Sequence, residues 1–467
     1  MSSPTAPRRC VALEVPPGPA GLEALMPALT AAMDGTGPAI AVLPGSGSAQ
    51  YRERIRAAVR PGEPVPAGVA VVLATSGSTG DPAGVLLPAD ALRAAAVGLA
   101  ERTRSPLGHR WVAALPMHHA GGLMVAARSV VAGSAPSATA SLGGAEPFTI
   151  QGFAAATRHA LDSRAADGRP LAVSLVPPIL AMLDDAGEEA RRMLAEYDLV
   201  LIGGSATPRP LLDRLRAAQV KVLASYGMTE TCGGAVFDGQ PLAGVDVSVT
   251  PDGHLRICGA QVAIGYRDGR HAGRWRAASD GRRCFTTADV GRVTQDGVVI
   301  EGRADDVVQV AGVSVSLSAV RSALLAQSGV AQAEVAALPD DRWGARLVAL
   351  VVPTPTAGIQ NRPSDGLDRP NPPDGAGLAD AVAAALGRAA RPREVLTVAR
   401  IPMLESGKVD RRALADLAGR SGAPSADRAA GNRDEAGNPD EAVKPDEAVK
   451  PDEAVKPDEA VKPDEAV

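Results

Sequence analysis

Aromatic residues and lysine are both scarce in this chain of 467 residues, and each scarcity limits what the chain can be. The aromatic residues, three Trp, four Tyr and four Phe, are too few to fill the core of a protein this long, so the core must be mostly aliphatic. At roughly 100–200 residues per domain, the length allows two to four domains. The formal net charge of −5 lacks the basic excess that a general nucleic-acid-binding protein needs.

Cysteine is also rare, and long apolar runs are missing. The four cysteines are widely spaced with no CxxC pair: Cys10, Cys232, Cys258 and Cys284. This spacing predicts reduced thiols in a cytosolic protein. Residues 1–26 are rich in proline and lack the apolar region of a signal peptide. Apolar segments such as 171–183 are too short to span a bilayer and contain prolines, so we expect a cytoplasmic protein without a membrane span.

Six of the 48 basic residues are lysines, and four of these six belong to a repeat near the end of the chain. Residues 1–433 therefore contain 42 arginines but two lysines, Lys221 and Lys408. Because arginine serves this chain wherever positive charge alone is needed, each remaining lysine is a candidate for a role that needs a compact charge on a flexible stem. We expect Lys221 to be a surface residue and Lys408, within the sequence ESGK, to be functional.

Apolar runs that could form buried strands alternate with segments rich in Ala, Leu and Arg along much of the chain up to residue 227. This alternation predicts an α/β fold with mostly parallel sheets covered by helices. Residues 246–294 contain short runs and turns, which predict a β-rich subdomain. A charged turn follows near residue 303, so we expect a large N-terminal domain at 1–303 and a small α+β domain at 304–417.

The end of the chain has a different composition. From residue 439 the sequence PDEAVK occurs four times before a final PDEAV, and a proline at every sixth position excludes a continuous helix. One valine per repeat cannot bury enough apolar surface to offset the entropy of ordering. We therefore predict a disordered tail at 418–467. Residues 353–377, rich in Pro, Asn, Asp and Gly, predict a long surface loop.

A polar loop with the sequence TSGSTGDPAGV follows an apolar run that begins at Val69. Its glycines let backbone N–H groups approach a ligand, and its hydroxyl groups add donors without bulk. The loop lacks the GK[ST] ending of a Walker A motif. These features predict a phosphate-binding loop that consists of Thr75, Ser76, Gly77, Ser78, Thr79 and Gly80.

Two further polar segments follow apolar runs, at the strand ends where parallel sheets bind ligands. The sequence GGS at 203–205 is the first, and YGMTET is the second. In the second, Tyr226 offers an aromatic face for a base, and Thr229 can donate to a phosphate. Glu230 can hold Mg²⁺ through a carboxylate oxygen, the ligand that this ion prefers.

Asp289 and Arg303 belong to two later segments, TTAD and GRADD. A carboxylate can accept hydrogen bonds from both hydroxyls of a ribose, and a nearby arginine suits a phosphate or the same ribose. Each segment alone is more typical of a surface turn than of a binding site.

Taken in order, the segments TSGSTGDPAGV, YGMTET, TTADVG, GRADD and ESGKVDRRAL resemble motifs of the adenylate-forming superfamily, which includes the acyl-CoA synthetases. The resemblance covers about residues 65–417. It implies that a carboxylate attacks the α-phosphorus of ATP to give an acyl-adenylate, and that a thiol, usually that of CoA, then displaces AMP. It also implies ATP and CoA as co-substrates, Mg²⁺ as a cofactor, and a mobile C-terminal domain that rotates between the two steps.

The resemblance assigns roles to the residues that match its motifs. It implies that Lys408, Glu230 and His119 are catalytic, with Glu230 also the Mg²⁺ ligand. It places the interdomain hinge at Asp305, and it adds Thr229 to the loop at 75–80 as a phosphate-binding residue. It implies that adenine and ribose are bound by Gly203, Gly204, Ser205, Tyr226, Gly227, Asp289 and Arg303.

The sequence WVAALPMHHAGGL, followed by Arg128, resembles the o-succinylbenzoate–CoA ligases of menaquinone biosynthesis in particular. His119 matches a family histidine near the acyl pocket, and the early phosphate loop fits their shortened N-terminal region. The substrate of those ligases carries a second carboxylate, which an arginine can bind with two hydrogen bonds. The residues expected to contact the acid are His119, Arg128, Arg209, Gly227 and Met228.

Two departures from the motifs leave alternatives open. The phosphate loop has Ala83 where the superfamily usually has lysine, and the sequence VAGV at 310–313 replaces a usual Gly-Gly pair. The alternatives are a ligase of another aryl or acyl acid, a stand-alone adenylation enzyme that loads a carrier-protein thiol, and a non-catalytic binding protein. We expect small-molecule partners and no nucleic acid, and the sequence does not indicate an oligomeric state.

Overall fold

The computed structural model describes residues 6–75, 82–144, 146–354, 374–403 and 409–421. The strands of its larger part are β1 (Cys10–Val15), β2 (Ala39–Pro44), β3 (Val69–Ala74), β4 (Gly84–Pro88), β5 (Arg110–Ala113), β6 (Ser137–Ala138), β7 (Leu171–Leu175), β8 (Leu199–Ile202), β9 (Val222–Met228), β10 (Gly233–Phe237), β11 (Gln240–Pro241), β12 (Asp246–Val249), β13 (His254–Cys258), β14 (Gly265–Tyr266), β15 (Trp275–Ala277), β16 (Arg283–Thr294) and β17 (Gly297–Arg303). Its helices are α1 (Pro19–Asp34), α2 (Ala49–Val59), α3 (Ala89–Arg102), α4 (Ala120–Ala132), α5 (Ile150–Asp167), α6 (Pro177–Asp185), α7 (Glu188–Ala195) and α8 (Arg209–Ala217).

Two α/β sheets form the main body. The first has the strand order β1-β2-β3-β4-β14, and the second has the order β11-β10-β9-β8-β7-β5-β6. Strands β1 to β3 are parallel to one another, as are β5 to β9. All residues of β2, β3, β7 and β8 are buried, as expected for parallel strands covered on both faces. Helices α1, α3 and α4 share one apolar core with strands of both sheets.

The third sheet confirms the β-rich subdomain. Its order is β12-β13-β16-β15, with β17 also paired to β16, and every pair is antiparallel. The core is mostly aliphatic, as the scarcity of aromatic residues predicts. Within the described ranges, no helix is both long enough and apolar enough to cross a membrane.

The remaining elements form the predicted α+β part. They are β18 (Val307–Val310), β19 (Val313–Ser316), α9 (Leu317–Leu325), β20 (Val330–Asp340), β21 (Gly344–Pro353), α10 (Gly375–Leu386), β22 (Glu394–Thr397) and α11 (Arg411–Ser421). Strands β18 and β19 form a hairpin, and β20-β21-β22 form a sheet. One apolar cluster of this sheet includes α9 and α10, and a second includes α11.

Helix α11 extends into the segment predicted to be the tail. It ends at Ser421 rather than at residue 417, and Ala418 is fully buried one turn after the buried Leu414. The (i, i+4) spacing of these two residues keeps both on the same face of the helix, which explains why α11 continues past residue 417. The rest of the predicted tail, 422–467, lies outside the described residues, as do residues 355–373 of the predicted loop.

The prediction of four reduced thiols is wrong for one pair. Cys258 and Cys284 form a disulfide, although they are 26 residues apart in the sequence. The antiparallel register of β13 and β16 places these two residues directly opposite each other. Spacing alone could not reveal the pair, because the sequence does not specify the register. Cys10 and Cys232 are buried free thiols.

The disulfide determines how many cysteine thiols can react with a thiol reagent before reduction. Protein purified without reductant and denatured in guanidinium should react with two equivalents of a thiol reagent such as DTNB, because only Cys10 and Cys232 are free. Reduction before denaturation should raise this number to the four cysteines of the sequence. Four reactive thiols without prior reduction would contradict the assignment of the Cys258–Cys284 bond.

Candidate functional site

The structure brings Tyr226, Asp289 and Arg303 together from three different strands. The Tyr226 hydroxyl, on β9, donates to Oδ2 of Asp289, on β16, at 2.7 Å, although 63 residues separate them. Nη1 of Arg303, at the end of β17, lies 4.0 Å from Oδ1 of Asp289. Burial raises the pKa of the Asp289 carboxyl. An aromatic ring, a carboxylate and a guanidinium therefore meet at one place.

Two glycines allow the backbone to pack closely around this cluster. A Cβ atom added to Gly227 would lie 1.9 Å from the carbonyl oxygen of Gly233, so the contact between β9 and β10 requires glycine at residue 227. A Cβ atom on Gly203 would lie 2.5 Å from Oγ of Ser225. Gly203 and Gly204 directly follow β8, which is parallel to β9. The predicted GGS and YGM segments thus end neighbouring strands at the same edge of the second sheet.

Glu230 lies in a short 3₁₀ turn, 229–231, that follows β9. Both Thr229 and Glu230 are buried. Oε1 of Glu230 accepts a hydrogen bond of 2.5 Å from the hydroxyl of Tyr266, on β14. The sequence interpretation missed Tyr266, and the only signal for it was the small number of tyrosines in the chain.

Glu230 fits a site for Mg²⁺ with one protein ligand. Among the described residues, no group of three or more His, Cys, Asp or Glu side chains could hold a metal ion by itself. Mg²⁺ usually keeps several waters and binds through one or two carboxylates together with phosphate oxygens of the substrate. A single carboxylate next to Thr229, at the edge where a nucleotide loop is predicted, matches this mode of binding.

Thr75 closes the base of the predicted phosphate loop. Its N–H donates to the carbonyl oxygen of Ala83 at 2.8 Å, and its Oγ1 accepts from the N–H of Ala83 at 3.0 Å. Ala83, which stands where the superfamily usually has lysine, is buried. The other predicted members of the loop lie outside the described residues: Ser76, Gly77, Ser78, Thr79 and Gly80.

His119 immediately precedes α4, and its ring centroid lies 4.3 Å from that of His118. His118 is buried, and burial lowers the pKa of its imidazole to about 4. The imidazole of His118 is therefore neutral at physiological pH. Met228 and Gly227, also predicted to contact the acid, pair with Gly233 and Gly234 at the start of β10.

Arg128, on the third turn of α4, is a buried cation, with 6% of its surface exposed. Its guanidinium lies 5.2 Å from the centroid of the Trp111 ring, and burial lowers its pKa to about 10. Among the described residues, Nε of Arg128 has no hydrogen-bond partner and no carboxylate forms an ion pair with this side chain. A Cβ atom added to Gly233 would lie 3.9 Å from its Nη2. The arginine also lines a cavity of about 640 Å³ between α3 and α4.

Arg209 is placed very differently from Arg128. Its side chain is 79% exposed on α8, and its Nε donates to Oδ1 of Asp213 at 2.9 Å. The structure therefore does not bring the two predicted acid-binding arginines together. Lys221 is also at the surface, where its Nζ lies 3.1 Å from Oδ1 of Asp198.

Asp305, the predicted hinge, forms two hydrogen bonds with Arg303, at 2.8 and 2.9 Å. The next residue, Asp306, is buried and pairs with Arg411 at the start of α11. Lys408 lies outside the described residues, but both flanks of its segment are described. Met403 and Val409 form an isolated antiparallel bridge across it.

Comparisons with known proteins identify the family of this chain. Residues 23–267 match the family described as AMP-binding enzyme, and residues 319–408 match the AMP-binding enzyme C-terminal domain. A probable 2-succinylbenzoate–CoA ligase of Mycobacterium tuberculosis (strain H37Rv) is 37% identical over 86% of this chain and 97% of its own length. The 2-succinylbenzoate–CoA ligase of Enterococcus faecalis is 27% identical over 61% of this chain and 59% of its own length.

Solved structures with low sequence identity share the fold. One is an o-succinylbenzoate CoA synthetase from Bacillus subtilis in complex with its acyl-adenylate intermediate, which matches this chain with a TM-score of 0.62 at 21% identity. The match covers 87% of this chain and 88% of the synthetase chain. An ATP-bound chimera named RpMatB-BxBclM has a TM-score of 0.69 at 20% identity and covers 88% of both chains.

Proposed function

This chain belongs to the AMP-binding enzyme family, and we propose that it activates o-succinylbenzoate with ATP and transfers the acyl group to CoA. The product is o-succinylbenzoyl-CoA, an intermediate of menaquinone biosynthesis. The similarity to the M. tuberculosis protein, a probable 2-succinylbenzoate–CoA ligase, supports this substrate. We place the reaction in the cytoplasm, where ATP and CoA are available.

The observation that carries the proposal is the buried charge of Arg128. Transfer of a guanidinium from water into a protein interior costs several kcal/mol unless an anion is nearby. Arg128 has no such anion among the described residues, so a ligand carboxylate can supply it. Nη2 of Arg128 lies beside Gly233, since a Cβ atom added there would be 3.9 Å from it, and Gly233 pairs with Met228, one of the residues expected to contact the acid. A dicarboxylic acid can present one carboxylate to Arg128 and the other to ATP.

The nucleotide is held by groups from all three sheets. The ring of Tyr226 packs on adenine beside Gly203, Gly204, Ser205 and Gly227. The Asp289 carboxylate accepts from the ribose hydroxyls, and Arg303 donates to the same sugar. The loop of residues 75–80 and Thr229 donate to the phosphates. The pairing of Tyr226 with Asp289 supports this assignment, because it fixes both groups before the ligand binds.

The first step joins the acid to AMP. A carboxylate oxygen of the acid attacks the α-phosphorus, and the bond from that phosphorus to the bridging oxygen of pyrophosphate breaks. Lys408 donates to the reacting carboxylate and to the α-phosphate, which reduces the repulsion between two anions as they approach. Bound Mg²⁺ neutralises phosphate charge, and Glu230 is the residue that would hold it.

The second step transfers the acyl group. The CoA sulfur, as thiolate, attacks the acyl carbonyl carbon beside His119, and the bond to the AMP oxygen breaks. Before this step, the C-terminal domain rotates and removes Lys408 from the acyl-adenylate. We place the domain boundary after Arg303 and the hinge at Asp305. This boundary is supported by the C-terminal apolar clusters, which consist of residues beyond 307.

Pyrophosphate release tests the proposed function. The enzyme is mixed with ATP, Mg²⁺ and CoA, and o-succinylbenzoate, benzoate and a fatty acid are added in separate reactions. We expect fast release with o-succinylbenzoate and little with the others. Preference for another acid would keep the adenylation mechanism but contradict the substrate. Release that proceeds without CoA and then requires an added carrier protein for thioester formation would indicate a carrier-loading enzyme.

A further inference from the structure

We propose that Tyr266 is a positioning residue that fixes the Glu230 carboxylate for the metal-bound nucleotide in the adenylation step. The inference rests on the proposed function, in which Glu230 is the Mg²⁺ ligand. Neither the family motifs named above nor the sequence interpretation includes Tyr266.

The contact between the two side chains is direct. The Tyr266 hydroxyl donates to Oε1 of Glu230 at 2.5 Å, the short length typical of a hydrogen bond to an ionised acceptor. An ionised carboxylate has no proton to donate, so the phenol hydroxyl is the donor in this bond. This bond fixes the position of Oε1, and with it the orientation of the whole carboxylate.

The backbone connects the same two segments. The N–H of Ala263 donates to the carbonyl oxygen of Glu230 at 2.9 Å, three residues before Tyr266. Tyr266 is held in place through β14, where it pairs with Val85 of β4, and β4 directly follows the predicted phosphate loop. The glutamate is thus attached to the strand segment 263–266 through both its backbone and its side chain.

Aromatic packing fixes the ring of Tyr266. The centroids of Trp275, Phe285 and His271 lie 5.4, 6.4 and 6.1 Å from its own, all in edge-on contact. The chain has eleven Trp, Tyr and Phe residues, and three of these, Tyr266, Trp275 and Phe285, are in contact here. Edge-on aromatic pairs are favourable, and together they restrict the ring to one orientation. The hydroxyl group therefore holds a fixed position in front of Glu230.

A carboxylate with a fixed partner binds a metal more tightly than one that rotates freely. Removal of a hydrogen-bonding partner of a metal ligand typically costs about 10- to 100-fold in metal affinity or activity. Tyr266→Phe removes the hydroxyl but keeps the ring and its aromatic packing. We expect the apparent dissociation constant of Mn²⁺ for the enzyme–ATP complex, measured by electron paramagnetic resonance of free Mn²⁺, to rise by about tenfold.

Two half-reactions provide a second readout. Acyl-adenylate formation by Tyr266→Phe should require about tenfold more Mg²⁺ for half-maximal rate. Thioester formation from supplied acyl-adenylate should be unchanged, because that step starts from the acyl-adenylate and does not need the nucleoside triphosphate that Glu230 would help to bind. Tyr197→Phe is the matched control, because it also removes a buried tyrosine hydroxyl bond, 2.6 Å to Thr157, but in a different apolar cluster from the one against which Tyr266 packs. This control should show wild-type Mn²⁺ affinity.

Glu230→Gln separates failure of this inference from failure of the proposed function. If Glu230→Gln weakens Mn²⁺ binding but Tyr266→Phe does not, Glu230 remains the metal ligand and the role of Tyr266 is wrong. If neither variant changes the affinity, the metal assignment itself is wrong and the inference fails with it. Equal weakening by Tyr266→Phe and Tyr197→Phe would mean a general loss of stability, which also overturns the positioning role.

Discussion

Replacement of Lys408 by alanine should slow acyl-adenylate formation by about 100- to 1,000-fold, which is the usual effect of removing one preorganised charge from a reacting anion. Thioester formation from supplied acyl-adenylate should persist, because the proposed mechanism uses the lysine in the first step only. The two rates can be measured separately by pyrophosphate release and by the appearance of the CoA thioester.

Lys221→Ala is the matched control for this variant. It removes the other lysine of residues 1–433, which pairs with Asp198 at the surface. An exposed ion pair contributes about 0–1 kcal/mol to stability, so both half-reactions should keep their wild-type rates. If Lys408→Ala adenylated the acid at the wild-type rate, the catalytic assignment of this lysine would be wrong.

Replacement of Arg128 by methionine should lower kcat/KM for o-succinylbenzoate by about 30-fold or more. Loss of one partner of a buried charge pair costs about 2–5 kcal/mol, and about 1.4 kcal/mol corresponds to a tenfold change. Methionine fills similar space without a charge. Because the unbound enzyme buries Arg128 without an anion, the variant should be at least as stable as the wild type in thermal unfolding.

Two controls test whether the effect depends on the second carboxylate. An o-succinylbenzoate analogue without the ring carboxylate should react equally slowly with the wild type and with Arg128→Met. Arg209→Met should leave kcat/KM for o-succinylbenzoate unchanged, because Arg209 is exposed and paired with Asp213. An equal loss of activity toward both acids would assign Arg128 a structural role instead.

Local sequence patterns predicted most of the fold and the strands that form the site. Apolar runs of four to seven residues predicted buried strands, and the polar segments that follow them lie at the edge of the sheet where Tyr226 and Glu230 are found. The strand predictions succeeded because strand burial depends on neighbouring residues, whereas the binding roles of the polar segments stay predictions.

Features that depend on the pairing of distant strands could not be predicted. The Cys258–Cys284 bond depends on the register of β13 against β16, and the contact of Tyr266 with Glu230 depends on the pairing of β14 with β4. Composition also could not distinguish Arg128 from Arg209, because arginine is common throughout the chain. Burial distinguishes the two, since one side chain is enclosed and the other is 79% exposed.

The central claim is that this enzyme joins an aromatic dicarboxylic acid to CoA. Its most direct test is mass spectrometry of the CoA thioesters formed from an equimolar mixture of o-succinylbenzoate, benzoate and a fatty acid with ATP and Mg²⁺. We expect o-succinylbenzoyl-CoA to be nearly the sole thioester. A mixture dominated by benzoyl-CoA or a fatty acyl-CoA would contradict the claim, because a monocarboxylic acid leaves Arg128 without its anion.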